Sequence, residues 1–423
     1  MKRRTFLAGA ATVGAVTMIG LKPSDAGASY NDYFRTVNES LKNNGPYRPM
    51  ILIDLDIMDR NISTLKKMTR DTAAYRIVVK SLPSPDLTKY VMEKAGTNRL
   101  MVFHQPFLNY ISKEIPDADV LLGKPMPVKA AQHYYNNLGP DNQYKHEENL
   151  QWLIDSKERV EQYLQLAKTL SVKMRINLEL DVGLHRGGLT STAQLKSIMA
   201  VIEANPQHLQ FSGFMGYDAQ VAKFPPIIKS IDEAYKESQD IYISFVDYIK
   251  QHHPQYELDK LCLNGAGSPS YALAGESGIA NDLSAGSCLV KPLQFDISTL
   301  DDFEPASFIA TPILKKLQGT TIPGLERLQW WNTFWDPNKE QTLFIYGGKW
   351  MAEYESPTGL RGNSLFGTST NQEFINCSNN VNVNVDDHVF LRPDQSEAVF
   401  LQFDDIITIR NKRIQDTWQT LAG

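Results

Sequence analysis

Between residues 75 and 290 the chain alternates strand-like and helix-like stretches at the spacing of βα units. Apolar, β-branched runs fall near 75–81, 99–104, 118–123, 150–155, 173–181, 208–216, 258–264 and 285–290. Stretches of helical period lie between them, at 85–95, 106–114, 127–138, 157–170, 192–204, 226–252 and 269–275. Eight such strands count out a (β/α)8 TIM-like barrel of the α/β class, a closed parallel sheet ringed by helices. An open doubly wound sheet would want a glycine-rich turn after its first strand. Ser81-Leu82-Pro83-Ser84 stands there instead. After residue 291 long helical periods become scarce and short strands take over: Gln341–Tyr346, Trp350–Tyr354, His388–Leu391, Ala398–Gln402 and Asp405–Arg410. This predicts a second, mostly β domain over 291–423. The strand starting at Met50 is expected to join it, within an extension covering 29–56, so that the barrel occupies 57–290.

The first residues are not read as fold. Lys2-Arg3-Arg4-Thr5-Phe6-Leu7 is a twin-arginine pair followed by Phe-Leu, a small-residue apolar run extends from Ala8 to Leu21, and Ala26-Gly27-Ala28 supplies an A-x-A cleavage site. The run is too short and too rich in Gly and Ala to span a bilayer comfortably. These features predict a leader over 1–28, export by the twin-arginine machinery, and a periplasmic chain starting near Ser29 with no membrane attachment after cleavage. A net charge of −5 without a basic block argues against nucleic-acid binding. The three cysteines, Cys262, Cys288 and Cys377, lack metal-ligand spacing and are odd in number, so no disulfide framework is expected. Cys262 and Cys288 lie in apolar runs, as buried thiols do. The aromatic run Gln329–Trp335 reads as a core or dimer-interface plug, or as the mouth of a substrate site.

The first barrel strand, Tyr75-Arg76-Ile77-Val78-Val79-Lys80-Ser81, carries a single lysine at its end. Parallel barrels place their chemistry at the carboxyl ends of strands. A lysine there can lose its proton by desolvation and attack a carbonyl carbon, although one that merely reaches solvent would give the same sequence. Near the end of the seventh strand, Asn264-Gly265-Ala266-Gly267-Ser268-Pro269-Ser270-Tyr271 offers a tight turn whose backbone N–H groups and serine hydroxyls can surround an anion. Barrels often hold phosphates there. A reactive lysine and a phosphate cup point to pyridoxal 5′-phosphate, which needs a Schiff-base lysine, a phosphate site and a partner for its ring nitrogen. Tyr217, closing the sixth strand, is the candidate for that partner. Glu179 and Asp181 share one face of the fifth strand, and Arg186 follows them.

These stretches resemble the fold-type III pyridoxal-phosphate enzymes, in the branch of D-threonine aldolase and D-serine dehydratase, with alanine racemase as a more distant relative. The resemblance runs from about residue 49 to 420. It rests on Ile53-Asp54-Leu55-Asp56 with Arg60-Asn61-Ile62, on Arg76–Ser81, on Asp181–Gly188, on Gly216–Gln220, on Asn264–Tyr271, on Ala285-Gly286-Ser287 and on Tyr346–Lys349. It implies Lys80 as the cofactor lysine and Tyr217 facing the pyridine nitrogen. It implies a cofactor site containing Asn264, Gly265, Gly267, Ser268, Ser270 and Tyr271, with Arg186 near the ring or the substrate carboxylate. It also implies an amino-acid substrate and a homodimer.

The departures matter as much. Members of the branch hold a divalent metal with a His-x-Cys pair, and Gln395 and Glu397 fall on those positions. An amide oxygen with a carboxylate suits Mg²⁺, Mn²⁺ or Ca²⁺ rather than zinc. A metal-free site with Glu397 as acid or base fits equally. Gln220 stands where the aldolases place a histidine, and the tyrosine-bearing signature of alanine racemase is not found. The expected function is a pyridoxal-phosphate-dependent lyase acting on β-hydroxy-D-amino acids, by retro-aldol cleavage or loss of water. A racemase using Lys80 as one base is the second reading, and a non-catalytic periplasmic binding protein is the third.

Overall fold

The structure is a computed structural model and describes residues 22–421, except 226, 322, 325 and 329–332. The twin-arginine pair, the apolar run and the first four residues of the aromatic run lie outside the described residues. By contacts the chain divides into two compact units. One comprises the residues up to Asp54, Ser307–Asp394 and Ile407–Asp416; the other comprises Leu55–Ala306, Gln395–Ile406 and the chain from Thr417.

The second of these units is the barrel. Its eight strands are β2 (Ala74–Val78), β3 (Arg99–Val102), β4 (Asp119–Leu122), β5 (Leu150–Ile154), β6 (Met174–Leu180), β7 (Leu209–Gly216), β8 (Cys262–Gly265) and β9 (Asp282–Ala285). They close in chain order, with β2 paired in parallel to both β3 and β9. Both faces of such strands are covered, which is why they read as unbroken apolar runs. Ser84 caps the helix Pro85–Ala95, its hydroxyl accepting from the Leu87 N–H while Pro85 takes a first-turn position that lacks an intrahelical bond anyway. Gly96, left-handed at φ 71°, ends that helix.

The lower barrel interior is polar. Arg76, fully buried, reaches Asp282 at 2.7 Å and Asp119 at 3.3 Å, and Arg99 meets Asp282 at 2.7 Å. Burial pushes the Asp282 carboxyl up, but Arg76 and Arg99 together hold it below the usual carboxylate range. A buried pair of this kind adds little net stability, and removing one partner leaves an uncompensated charge.

Three expected strands end elsewhere. The run 285–290 supplies β9 only to Ala285; Ser287–Leu289 is a turn of 3-10 helix. The Gly286 and Cys288 N–H groups donate to Ser268 Oγ instead of to a strand neighbour. In the run 258–264, Leu258–Lys260 coils and pairing begins at Cys262. Ala398–Gln402, expected as a strand, lies largely within the short helix Ser396–Phe400. Burial of Val399 and Phe400 gives it an apolar side that a strand would have split between two faces.

The other unit is a mostly antiparallel sheet of β1 (Met50–Asp54), β10 (Ser307–Gln318), β11 (Gln341–Tyr346), β12 (Ala352–Ser356), β13 (Arg361–Gly362), β14 (Gln372–Cys377), β15 (His388–Pro393), β16 (Asp405–Arg410) and β17 (Arg413–Gln419). The order is β13-β14-β11-β10-β1-β16-β17, with β15 between β10 and β12. The amphipathic helix Asp32–Asn44 lays Phe34, Val37 and Leu41 against Met50, Leu52, Phe308 and Phe390. Compared with a boundary at residue 290, the barrel unit keeps the chain to Ala306 and takes back Gln395–Ile406.

The stretch around the expected cleavage site is docked on this sheet unit. The Ala28 N–H donates to the Thr358 carbonyl at 3.1 Å, and the Ala26 N–H to Asn338 Oδ1 at 2.9 Å. Asn338 Nδ2 donates back to the Ser24 carbonyl at 2.9 Å. A methyl group on Gly27 would stand 2.2 Å from Ser378 Oγ, so a larger residue would have to turn that hydroxyl aside. All three cysteines are free and buried. Among the described residues no helix is long and apolar enough to cross a membrane.

Candidate active site

A cavity of about 260 Å³ opens at the carboxyl ends of the barrel strands. It lies within the barrel unit, because the Gln395–Ile406 segment belongs to that unit. Lys80, Arg186, Tyr217, Asn264, Gly267, Ser268, Gln395 and Glu397 all line it. These residues come from distant parts of the sequence, and closure of the barrel brings them together. A larger open depression, lined by the helix Ile231–His252 and by 273–279, shares no residue with it.

Lys80 sits two residues beyond its strand. β2 ends at Val78, and the 3-10 turn Val79–Ser81 lifts the lysine above the barrel rim. Its Nζ donates to Glu397 Oε1 at 2.8 Å and lies 5.2 Å from the centre of the Phe103 ring. The lysine side chain is 42% exposed and that of Glu397 30%. The lysine is thus not buried, contrary to what a buried strand end suggested, and a carboxylate is in contact with its amine. Sequence spacing could not give this pair, because 317 residues separate its members.

The cavity wall also carries Tyr217 and Arg186. The Arg186 guanidinium stacks 4.8 Å over the Tyr217 ring. Burial pushes the Tyr217 hydroxyl up, and Arg186 opposes the shift. Asp181 shapes the loop that delivers Arg186. Its carboxylate accepts from the Gly183 N–H at 3.0 Å and from the His185 N–H at 2.9 Å. Burial raises the Asp181 carboxyl, but these bonds outweigh it and hold the group below its ordinary value. Glu179, its neighbour on the same face, is pushed up by burial, with Arg186 opposing.

The small-residue end of the cavity has Ser81, Ser268, Ser287, Gly267 and Gly286 on its wall. Ser81 Oγ and Ser287 Oγ are 2.9 Å apart. A Cβ on Gly267 would meet the Tyr217 ring at 2.4 Å, and one on Gly286 would meet the Val78 carbonyl at 2.7 Å. The glycines keep space that any side chain would fill. A cup of hydroxyls and glycines fits a phosphate, and a lysine amine fits an aldehyde. The residues present thus fit pyridoxal 5′-phosphate.

Not every expected residue faces the cavity. Ser270 turns away and donates to Asp218 Oδ1. In a 3-10 turn residues two apart point in different directions, so Ser268 and Ser270 cannot both face inward. Tyr271, fully buried, bonds Thr69 Oγ1 at 2.7 Å and packs edge-on to Tyr75. Gly265 ends β8 inside the sheet and does not line the cavity. Asn264 does line it, but its amide donates to Asp282 Oδ1 at 2.6 Å and Ser284 Oγ at 2.8 Å, tying β8 to β9. Sequence reasoning gave no role to Ser81, Ser287 or Phe103. The small run Ala285-Gly286-Ser287 at the last strand end was the one available signal.

The metal positions differ again. Gln395 Nε2 donates to Gln294 Oε1 at 2.5 Å, and Glu397 is held by Lys80. Among the described residues no three His, Cys, Asp or Glu side chains are grouped to hold an ion. An amide and one carboxylate, with no group of three such side chains around them among the described residues, do not make a divalent-metal cage.

A closed barrel with a lysine and a cup of serines and glycines lining one cavity at its rim, accompanied by a β unit, defines a fold-type III pyridoxal-phosphate enzyme. The chain belongs to the family of the alanine racemase N-terminal domain, whose model matches residues 53–291. No curated protein sequence matches the chain. Among solved structures it is similar to D-threonine aldolase from Filomicrobium marinum, at 15% identity and a TM-score of 0.66 over 88% of this chain and 96% of that one. Alanine racemase from Bacillus anthracis gives 15% and 0.65 over 88% and 97%. D-threo-3-hydroxyaspartate dehydratase from Delftia sp. HT23 gives 14% and 0.66 over 91% and 99%. At these identities the likeness is one of fold.

Proposed function

We propose that this protein is a pyridoxal-phosphate-dependent lyase acting on β-hydroxy-D-amino acids. The observation that carries the reading is the 2.8 Å contact between Lys80 and Glu397. A racemase needs two bases on opposite faces of Cα, and each must come within hydrogen-bond reach of its proton. Two groups touching each other serve one face. They suit a reaction that handles Cα and its β-substituent from the same side. The aldolase and dehydratase among the structural neighbours agree with this reading.

The bound cofactor supplies an electron sink for the pair released at Cα. Lys80 is its attachment point and afterwards the group that holds the Cα proton. Ser268, Ser287 and Ser81 would hold the phosphate, and Tyr217, braced by Arg186, would meet the ring. Arg186 also offers a cation to the substrate carboxylate. Asn264 and Asp282 keep β8 and β9 in register under the site. The racemase reading is supported by the family model and by the alanine racemase among the structural neighbours.

The reading extends to place and assembly. Lys2-Arg3-Arg4-Thr5-Phe6-Leu7 and the apolar run behind it support twin-arginine export to the periplasm. Family members are often dimers, and a homodimer is proposed here, to be sized by light scattering.

The first test is the absorbance of purified protein supplied with pyridoxal phosphate, before and after borohydride, followed by peptide mapping. Lys80 should carry the reduced cofactor, and Lys80→Ala should show no bound band. Absence of a band in the wild-type protein would end the catalytic reading. D-threonine and D-serine are the first substrates to assay, with chiral analysis of D-alanine for the racemase alternative.

A further inference from the structure

The resemblance implies a divalent-metal site at two positions of the sheet-to-barrel return. Here the two corresponding positions are Gln395 and Glu397, and both are otherwise engaged. Glu397 Oε1 accepts from Lys80 Nζ at 2.8 Å, and its Oε2 lies 3.4 Å from Ser396 Oγ. The Gln395 amide donates to Gln294 Oε1. The donor set fits no metal cage, so another group must manage the β-oxygen. Only a group within about 3 Å of the transferred proton can act on it. Glu397 lines the cavity and touches the lysine that serves Cα.

We propose, resting on the lyase reading above, that Lys80 and Glu397 form a metal-independent proton relay between Cα and the β-oxygen. In retro-aldol cleavage the Glu397 carboxylate takes the β-hydroxyl proton as the Cα–Cβ bond breaks and an aldehyde leaves. Lys80 delivers a proton to Cα, which yields glycine; the bound cofactor would supply the electron sink for the pair left there. Glu397 then returns its proton to Lys80. In elimination the traffic reverses. Lys80 takes the Cα proton, the Cβ–O bond breaks, and the oxygen leaves as water with a proton from Glu397. The proton on Lys80 then passes to Glu397, and the unsaturated product hydrolyses to a keto acid and ammonia. Either way the pair ends as it began.

The test uses cofactor-loaded protein. Metal content is measured by mass spectrometry, and turnover of D-threonine and D-serine is measured before and after EDTA. Glu397→Gln is assayed alongside, with its cofactor band as a check on loading and with Cα–H exchange of D-alanine in D₂O as a second readout. The expected result is substoichiometric metal and unchanged turnover after EDTA. Glu397→Gln should lose about a hundredfold or more in kcat/KM while Cα–H exchange persists. Turnover that EDTA abolishes and Mg²⁺ or Mn²⁺ restores would overturn the relay and leave the lyase reading standing. So would a Glu397→Gln enzyme of normal turnover. A loaded wild-type enzyme that consumes neither substrate yet exchanges D-alanine would overturn the lyase reading and the relay together.

Discussion

At the scale of single residues, the site is built by contacts that no local pattern contains. Gly267 is an example. Its backbone is extended at φ −158°, which any residue tolerates, so its need for glycine comes from the Tyr217 ring 2.4 Å from where a Cβ would stand. Gly267→Ala should therefore fold normally but push Tyr217 aside. Overpacking of this kind costs about 1–3 kcal/mol, and cofactor titration should read it as roughly tenfold or greater weakening. Asp218 makes a second prediction. Burial pushes its carboxyl up to about 6, although the Ser270 hydroxyl opposes this. The unfolded chain releases that proton near the ordinary value, 3.8. Between these values the folded state holds more protons, so this group's contribution to stability falls as pH rises, by about 3 kcal/mol in all. Asp218→Asn keeps an acceptor for Ser270 and should remove that slope. Its gain in Tm over wild type should grow between pH 4 and 6.5 and level off above; a constant difference would contradict it.

At the scale of elements, the sheet unit carries the opposite pH response. His388 opens β15 and is buried, with its N–H and Nδ1 against Asn38 Oδ1 of the helix Asp32–Asn44. Burial lowers its pKa to about 4, despite the pull of Asp387. The unfolded chain binds the proton from about pH 6.5 downward, the folded chain only near 4. Stability is thus lost as pH falls through that window, by about 3 kcal/mol at most. His388→Gln should flatten the acid limb of urea-melt midpoints between pH 4 and 6.5. Element boundaries were legible where local chemistry fixes them, as at Ser84, Pro85 and Gly96. They were not legible at 285–290 or 396–402. There a side chain from the turn beyond β8, Ser268, takes the N–H groups, or burial of one side favours a helix.

At the scale of the whole molecule, the stretch 24–28 is part of the sheet unit's packing, with bonds to Asn338, Thr358 and Asn380. Each such bond is worth about 1 kcal/mol net. A chain beginning at Ser29 should melt several degrees below one beginning at Lys22, which calorimetry would show. Equal melting temperatures would mean that the strap is dispensable. If export and processing occur, N-terminal sequencing of the secreted chain tells whether the strap is retained.

The sequence by itself determined the barrel and its eight-fold count, because these follow from local periodicity and from turn chemistry at strand ends, and its ordered motifs pointed to the cofactor class and proposed Lys80 for it. Only the tertiary structure decided which serines face the cavity, that Tyr271 and Ser270 turn away, and that Glu397 meets Lys80. The physical reason is that a closed barrel brings eight strand ends together whatever their separation in the chain. Which side chain points inward there depends on a turn's last few degrees and on neighbours hundreds of residues away.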